Sequence, residues 1–133
     1  EHDSALMTSS EMTEASGYEA ASRMLTAADA PTAFLTASLI TAMGVRRALE
    51  EQGLKIGRDI SVLTHDDELS YLRNGAEVPI FTATRSSVHE AGNLAAQMLL
   101  DRVNDPAGGH RSRLLEASLV VGQSTGPAPK RGG

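Results

Sequence analysis

Hydrophobic residues recur at two different spacings along the chain, and these spacings predict alternating helices and strands. In three stretches the apolar residues recur every three or four positions, as they do on the buried face of a helix. Short apolar runs rich in strand-forming residues lie between them. The predicted helices are 16–28, 39–52 and 87–103, and the predicted strands are 32–37, 60–64, 80–84 and 114–121.

Polar residues near the helix ends support these boundaries. Ser16 and Ser87 each stand three residues before a glutamate, which is the pattern of a capping box. Ser38 can cap the middle helix, and Gly53 follows that helix as a C-terminal glycine does. One further helical turn is predicted at 69–74.

Strands that alternate with helices of this length predict an α/β fold, with a parallel sheet and helices on both faces. Ligands of such sheets bind beyond the carboxyl ends of the strands. Ser38 follows the first predicted strand and Asp66 follows the next. We therefore expect these two side chains to converge on one crevice.

Composition and charge exclude several functional classes. The 12 Lys and Arg against 17 Asp and Glu leave a net charge of −5, and no basic cluster is present, so direct nucleic-acid binding is not expected. No apolar run approaches the ~18 residues of a membrane span, and the N-terminus lacks the pattern of a signal peptide. We expect no membrane partner. The absence of cysteine excludes disulfides and thiolate metal sites.

Motifs of catalysis are also lacking. The sequence has no G-x-S-x-G elbow, P-loop, H-E-x-x-H motif or cysteine nucleophile. The run 65–68 (HDDE) offers metal-ligating side chains, but adjacent residues on one short loop rarely point at one centre. We predict no catalytic residue, no metal site and no cofactor.

The middle helix carries two apolar groups. One stripe is expected to pack against the sheet, and the other lies among charged side chains. The first consists of Ala42, Val45 and Leu49, and the second of Leu39, Ile40 and Met43 beside Arg46, Arg47 and Glu50. An apolar patch with a charged rim is typical of a protein interface. The alternative is packing beneath the turn at 69–74.

The segment from Pro31 to Asp67, PTAFLTASLITAMGVRRALEEQGLKIGRDISVLTHDD, resembles the effector-binding domain of the lactose/galactose-repressor family of bacterial transcription regulators. Other segments are similar to that family's preceding helix, crossover strand, following helix and closing strand. These segments are 16–21, 78–85, 90–92 and 118–125. The resemblance covers almost everything after residue 15, in the family's order and spacing.

The resemblance implies a type I periplasmic-binding-protein-like domain, in which two α/β lobes enclose a small effector such as a sugar or related metabolite. It also implies a cytoplasmic homodimer that binds operator DNA through an N-terminal helix-turn-helix headpiece. The headpiece and most of the N-terminal lobe are expected to lie outside these 133 residues. Residues 16–124 would form the C-terminal part of the effector domain, with a mobile or strand-remnant segment at 1–15 and a flexible tail at 125–133.

The resemblance also implies ligand and interface residues. Asp66 stands where relatives hold an acidic residue that bonds the effector, although it could instead cap the turn that follows. Ser38 stands where an asparagine is common, and Met12 falls near the position of a stacking aromatic. His65 either contacts ligand or packs. The implied dimer interface comprises Leu39, Ile40, Met43, Arg47 and Phe81.

Two other functions remain open at this point. A secreted solute-binding protein of a transport system shares the fold, and a signal peptide upstream, instead of a headpiece, would distinguish it. An enzyme on the same scaffold would need a catalytic constellation that this sequence does not show.

Overall fold

The computed structural model describes residues 3–69 and 71–128. A short 3-10 turn at Ser4–Leu6 precedes the first helix, and residues 3–13 contain no strand. The division of the chain at residues 15 and 124 stays a prediction. The helices are α1 (Glu14–Leu25), α2 (Leu39–Glu51) and α3 (Val88–Asn104), and the strands are β1 (Ala33–Leu35), β2 (Ser61–Asp66), β3 (Thr82–Arg85) and β4 (Ser118–Val120).

The four strands form one sheet in the order β1-β2-β3-β4, which confirms the predicted α/β class. The first three strands are parallel, but β4 pairs with β3 in antiparallel fashion. The prediction of an entirely parallel sheet was therefore wrong for the last strand. A parallel crossover requires a helix that packs back along the sheet. Because α3 buries none of its residues, it does not cover a sheet face in this way.

Helix α1 begins at Glu14, three residues earlier than the predicted capping box at Ser16 allows. Thr13 is the N-cap, and its hydroxyl accepts a hydrogen bond from the Ser16 backbone N–H at 3.1 Å. Ser16 therefore lies inside the first turn rather than before it. The other two caps follow the prediction, with Ser38 accepting from the Thr41 N–H and Ser87 accepting from the Glu90 N–H.

Helices α1 and α2 cross in close contact because each has a glycine at the crossing. A Cβ added at Gly17 would lie 2.2 Å from the Thr41 carbonyl oxygen. A Cβ at Gly44 would lie 1.9 Å from the Glu14 carbonyl oxygen. No larger residue fits at either position without moving the helices apart.

The hydrophobic core lies between α2, α1 and the sheet. The stripe Ala42, Val45 and Leu49 is buried, as predicted. Leu39 is buried as well, so it belongs to the core and not to the exposed patch in which the helical spacing placed it. The buried cluster comprises Ala21, Leu39, Ala42, Val45, Ala48, Leu49, Ile60, Val62 and Phe81.

The segment between β2 and β3 is not helical where the structure describes it. A single turn closes with the Leu72 N–H bonded to the Leu69 carbonyl at 3.2 Å. Asn74 then fixes the chain, because its side-chain amide accepts from the Phe81 N–H at 2.8 Å and donates to the Phe81 carbonyl at 2.7 Å. These bonds satisfy the backbone N–H and carbonyl of Phe81. Strand β3 begins at the next residue, Thr82.

Ser124 joins the centre of the sheet from near the end of the chain. Its fully buried hydroxyl accepts from the Thr82 N–H at 2.9 Å and donates to the Val62 carbonyl. The Val62 N–H bonds in turn to the Ser124 carbonyl at 2.8 Å. Residue 124 thus satisfies buried polar groups of both central strands.

Candidate functional site

A cleft of about 210 Å³ opens at the carboxyl ends of β1 and β2. Its wall contains all four residues that the sequence assigned to ligand binding. The lining residues are Met12, Ser38, Leu39, Ile40, His65, Asp66, Asp67, Leu69, Tyr71 and Leu72. The fold therefore brings these four residues together, while their contact with a ligand stays a prediction.

Asp66 is the last residue of β2 and the most deeply buried acid of the cleft, with its side chain 5% exposed. Its Oδ1 accepts from the Glu68 N–H at 3.0 Å, so the carboxylate does cap the turn that follows. Its Oδ2 accepts from Arg85 Nη2 at 3.2 Å. Each carboxylate oxygen has two lone pairs, so each retains one for a further donor. Asp66 can therefore hold its turn and still accept from a ligand.

Arg85 is a neighbour of the candidate site that the sequence reasoning missed. It ends β3 and is the register partner of Asp66 across the parallel pair. Its Nε lies 3.6 Å from a Glu68 carboxylate oxygen and makes no hydrogen bond. An available signal was the presence of an acid and a base at the ends of two predicted neighbouring strands. The predicted third strand, 80–84, stopped at Thr84, one residue too early to show it.

His65 is held on both ring nitrogens. Nδ1 lies 2.8 Å from Thr84 Oγ1, and Nε2 lies 3.1 Å from Ser86 Oγ and 3.0 Å from Asp67 Oδ1. A serine-histidine-aspartate triad needs the serine and the acid on opposite nitrogens of the ring. Ser86 and Asp67 share one nitrogen, so this group is not such a triad. His65 instead links β2 to the chain that leaves β3.

Ser38 and Met12 differ in what they offer to the cleft. The Ser38 hydroxyl lies 3.0 Å from Thr41 Oγ1 and accepts from the Thr41 N–H at 3.4 Å. Helix capping thus occupies part of its hydrogen-bonding capacity. Met12 is 65% exposed at the rim and makes an apolar, flexible wall.

A second groove of about 340 Å³ runs along α2 and shares Leu39, Ile40 and Leu72 with the cleft. It contains all five residues assigned to the dimer interface, in two environments. Ile40 and Met43 are 37% and 45% exposed, whereas Leu39 and Phe81 are buried in the core. The full lining is Glu14, Leu39, Ile40, Met43, Arg46, Arg47, Glu50, Leu72, Arg73, Ile80 and Phe81.

Arg47, the fifth of these residues, already has partners within the chain. Its guanidinium lies 4.0 Å above the Tyr18 ring, and Nε lies 2.8 Å from a Glu14 carboxylate oxygen. The Tyr18 hydroxyl donates to a Glu51 carboxylate oxygen at 2.6 Å, and this bond raises the pKa of Tyr18 above its usual value. Arg47 thus joins α1 to α2 at the edge of the groove.

Comparison with known proteins identifies the domain that carries this cleft. Residues 1–125 match the family model described as a periplasmic binding protein-like domain. The chain belongs to that family. The HTH-type transcriptional regulator AglR of Rhizobium meliloti (strain 1021) is 41% identical over 130 residues, which are 97% of this chain and 36% of that protein. The resemblance to lactose/galactose-repressor regulators is thereby confirmed.

Solved structures of regulators share the fold. The transcriptional regulator CelR in complex with cellobiose aligns with a TM-score of 0.80 at 27% identity, covering 93% of this chain and 37% of that chain. The lac repressor dimer bound to operator and an anti-inducer aligns with a TM-score of 0.74 at 29% identity, covering 86% and 39%. The chain spans about a third of the length of the curated relatives it matches. These relatives are transcriptional regulators, which favours a regulator over a secreted solute-binding protein.

Two features are absent from the described residues. Within 3–69 and 71–128, no group of three His, Asp or Glu side chains is arranged to hold a metal ion. No helix in that part of the chain is long and apolar enough to cross a membrane.

Proposed function

We propose that this chain is the effector-sensing and dimerising part of a bacterial transcriptional repressor, with a small sugar-like effector bound at the cleft. The observation that carries the proposal is the buried Asp66 carboxylate, which keeps acceptor capacity at the carboxyl end of a parallel sheet. Family membership supports the same reading. Ser38, His65 and Met12 would complete this wall of the site.

Regulation would be a shift between two conformations of the regulator. An effector that binds one arrangement of two lobes more tightly shifts the population toward it. Operator DNA would be bound by a helix-turn-helix headpiece outside this chain, in the cytoplasm. Effector and DNA affinities are then linked, because each ligand must change the affinity for the other by the same factor.

Dimerisation would use the groove along α2. Ile40 and Met43 supply exposed apolar surface beside charged side chains, as protein interfaces do. Leu39 and Phe81 would support these residues from beneath, and Arg47 would contact the partner from its place above Tyr18. The lac repressor, which shares the fold, is a dimer on its operator.

We propose no catalytic step, cofactor or metal for this chain. His65 and Asp66 bond to β3 and to the turn after β2, and Asp66 keeps its remaining acceptor capacity for a ligand. A carboxylate that accepts hydrogen bonds from hydroxyl groups is sufficient for recognition.

The test uses the natural full-length gene product and DNA from upstream of its own gene. Galactose, maltose, sucrose and cellobiose are titrated into the protein–DNA complex in a mobility-shift assay. We expect at least one sugar to alter DNA binding, and Asp66→Asn to weaken that response by more than about tenfold, since it removes a charge-assisted acceptor. Asp101→Asn, on the exposed side of α3, is the matched control. An unchanged response in the Asp66 variant would refute the site.

A further inference from the structure

The segment between β2 and β3 contains the one Asn–Gly pair of the sequence, Asn74–Gly75. An asparagine followed by glycine is the dipeptide most prone to lose its side-chain amide spontaneously. The reaction begins when the backbone nitrogen of the following residue attacks the asparagine Cγ. Glycine has no side chain to hinder that attack, and its backbone reaches the necessary conformation readily. The chain therefore carries a chemically labile pair close to the start of β3.

The fold needs both members of this pair. Gly75 has a φ of 86°, and a Cβ added to it would lie 2.6 Å from the Val78 carbonyl oxygen. Asn74 is 8% exposed, and its backbone carbonyl accepts from the Ile80 N–H at 3.2 Å. Its side chain bonds to both the N–H and the carbonyl of Phe81, which requires a group that accepts and donates at once. Backbone conformation thus demands the glycine, and Phe81 demands the amide.

The same bonds oppose the reaction in the folded chain. The leaving group would be Asn74 Nδ2, which donates to the Phe81 carbonyl at 2.7 Å, so this bond must break before the amide departs. Burial of Asn74 also limits the access of water and of the base that removes the Gly75 amide proton. The reaction therefore requires the segment 74–81 to open. Local openings of this kind occur in native proteins at a lower free energy than global unfolding.

We propose that Asn74–Gly75 is a spontaneous deamidation site, which the bonds to Phe81 protect in the folded chain and which reacts when the segment 74–81 opens. The deprotonated Gly75 nitrogen bonds to Asn74 Cγ, the Cγ–Nδ2 bond breaks, and Nδ2 leaves as ammonia with the proton that Gly75 lost. Water then adds to one of the two carbonyls of the cyclic imide. Cleavage of the new Cγ–N bond gives aspartate, and cleavage of the original peptide bond gives isoaspartate, in which the chain continues through Cγ.

Neither product can restore the bonds of Asn74. An aspartate carboxylate has no N–H, so one of its oxygens would face the Phe81 carbonyl without a hydrogen bond, and its charge would be buried. Isoaspartate adds a backbone atom next to Gly75, which already lies close to Val78. A single opening would thus loosen the attachment of Phe81 permanently. No effector takes part, so this site is independent of the proposed regulatory function.

The test compares the natural full-length gene product in mildly alkaline buffer, folded or unfolded in guanidinium chloride. Trypsin releases residues 74–85 by cleavage after Arg73 and Arg85, and mass spectrometry measures the amide, aspartate and isoaspartate forms. A sample digested without incubation corrects for deamidation during digestion. We expect the unfolded protein to lose the amide more than about tenfold faster, because the folded protein reacts only through its open population. Equal rates would overturn the protection by Phe81, and an amide that persists in denaturant would overturn the site.

Two variants test the mechanism and its consequence. In guanidinium chloride, where backbone strain of the folded state does not enter, Gly75→Ala should slow the loss of the amide by more than about tenfold. An unchanged rate would exclude attack by the residue 75 nitrogen. Asn74→Asp reproduces one product and should lower the guanidinium midpoint of unfolding. Asn93→Asp, the same change at an exposed position of α3, is the matched control. Equal midpoints for these two variants would contradict the loss of the Phe81 bonds.

Discussion

Arg85 and Asp66 are register partners at the ends of two parallel strands, and Arg85 Nη2 lies 3.2 Å from Asp66 Oδ2. The Asp66 side chain is 5% exposed and the Arg85 side chain 32% exposed, so the pair spans the boundary between core and cleft. The guanidinium neutralises a carboxylate that would otherwise be buried alone. Arg85 is therefore the ion-pair partner of the residue that we assign to effector binding.

Removing Arg85 should destabilise the chain, because the buried Asp66 carboxylate then lacks its ion-pair partner. We expect Arg85→Met to lower the free energy of unfolding by about 2 kcal/mol, less than for a fully buried pair because the arginine is partly solvated. The double variant Arg85→Met/Asp66→Asn should lose less, since no unpaired charge remains. Urea unfolding measures both. Arg58→Met, which breaks an exposed ion pair with Asp59, is the control. A double variant less stable than the single one would contradict the explanation.

The crossing of α1 and α2 should not tolerate a methyl group. At Gly44 a Cβ would lie 1.9 Å from the Glu14 carbonyl oxygen, so Gly44→Ala should destabilise the chain by about 3 kcal/mol. Gly92 lies in α3 with nothing within 4 Å of its Cβ position. Gly92→Ala should stabilise the chain by about 0.5 kcal/mol through helix propensity. Thermal unfolding of the two variants should shift in opposite directions, and equal shifts would count against close helix packing.

A charged side chain in the groove along α2 should weaken dimerisation. We expect Met43→Glu to weaken dimerisation of the natural full-length gene product by more than about 100-fold, because the carboxylate would be buried at the interface. Met7→Glu changes a methionine that is 64% exposed outside the groove and should leave the dimer intact. Sedimentation velocity distinguishes the two states. A persistent dimer in the Met43 variant would place the interface elsewhere.

Tyr18 should ionise at higher pH than an ordinary tyrosine. The hydrogen bond to Glu51 and the negative charge of that residue both raise its pKa, and Arg47 opposes them. The unfolded chain then loses this proton first, so stability falls as pH rises from the ordinary tyrosine pKa through the raised one. The chain has two tyrosines, so Tyr71→Phe leaves Tyr18 as the sole absorbance signal. Glu51→Gln should lower its titration midpoint, and an unchanged midpoint would exclude the hydrogen bond as the cause.

Much of the fold was predictable because local chemistry determines it. Ser38 and Ser87 cap helices where the sequence placed them, and Gly53 adopts a φ of 73° just after α2. The sequence also placed Ser38 and Asp66 at one crevice. Both predictions depend on the positions of residues relative to the ends of their own helix or strand.

The features that were missed depend on contacts between distant segments. Helical spacing places Leu39 in the same arc as Met43, but packing against the sheet buries the first and leaves the second exposed. The spacing of charges gave no indication that Arg47 would stack on Tyr18. The direction of β4 depends on where α3 leads the chain, and no local pattern records that.

The bonds of Ser124 bear on the order in which the chain folds. Its hydroxyl reaches the Val62 carbonyl across 62 positions and the Thr82 N–H across 42. Contacts so distant in sequence form slowly, because loop entropy is lost before they stabilise anything. During synthesis, β2 and β3 leave the ribosome well before residue 124 does. The Val62 and Thr82 backbone groups that Ser124 bonds must therefore remain bonded to water until residue 124 has been made.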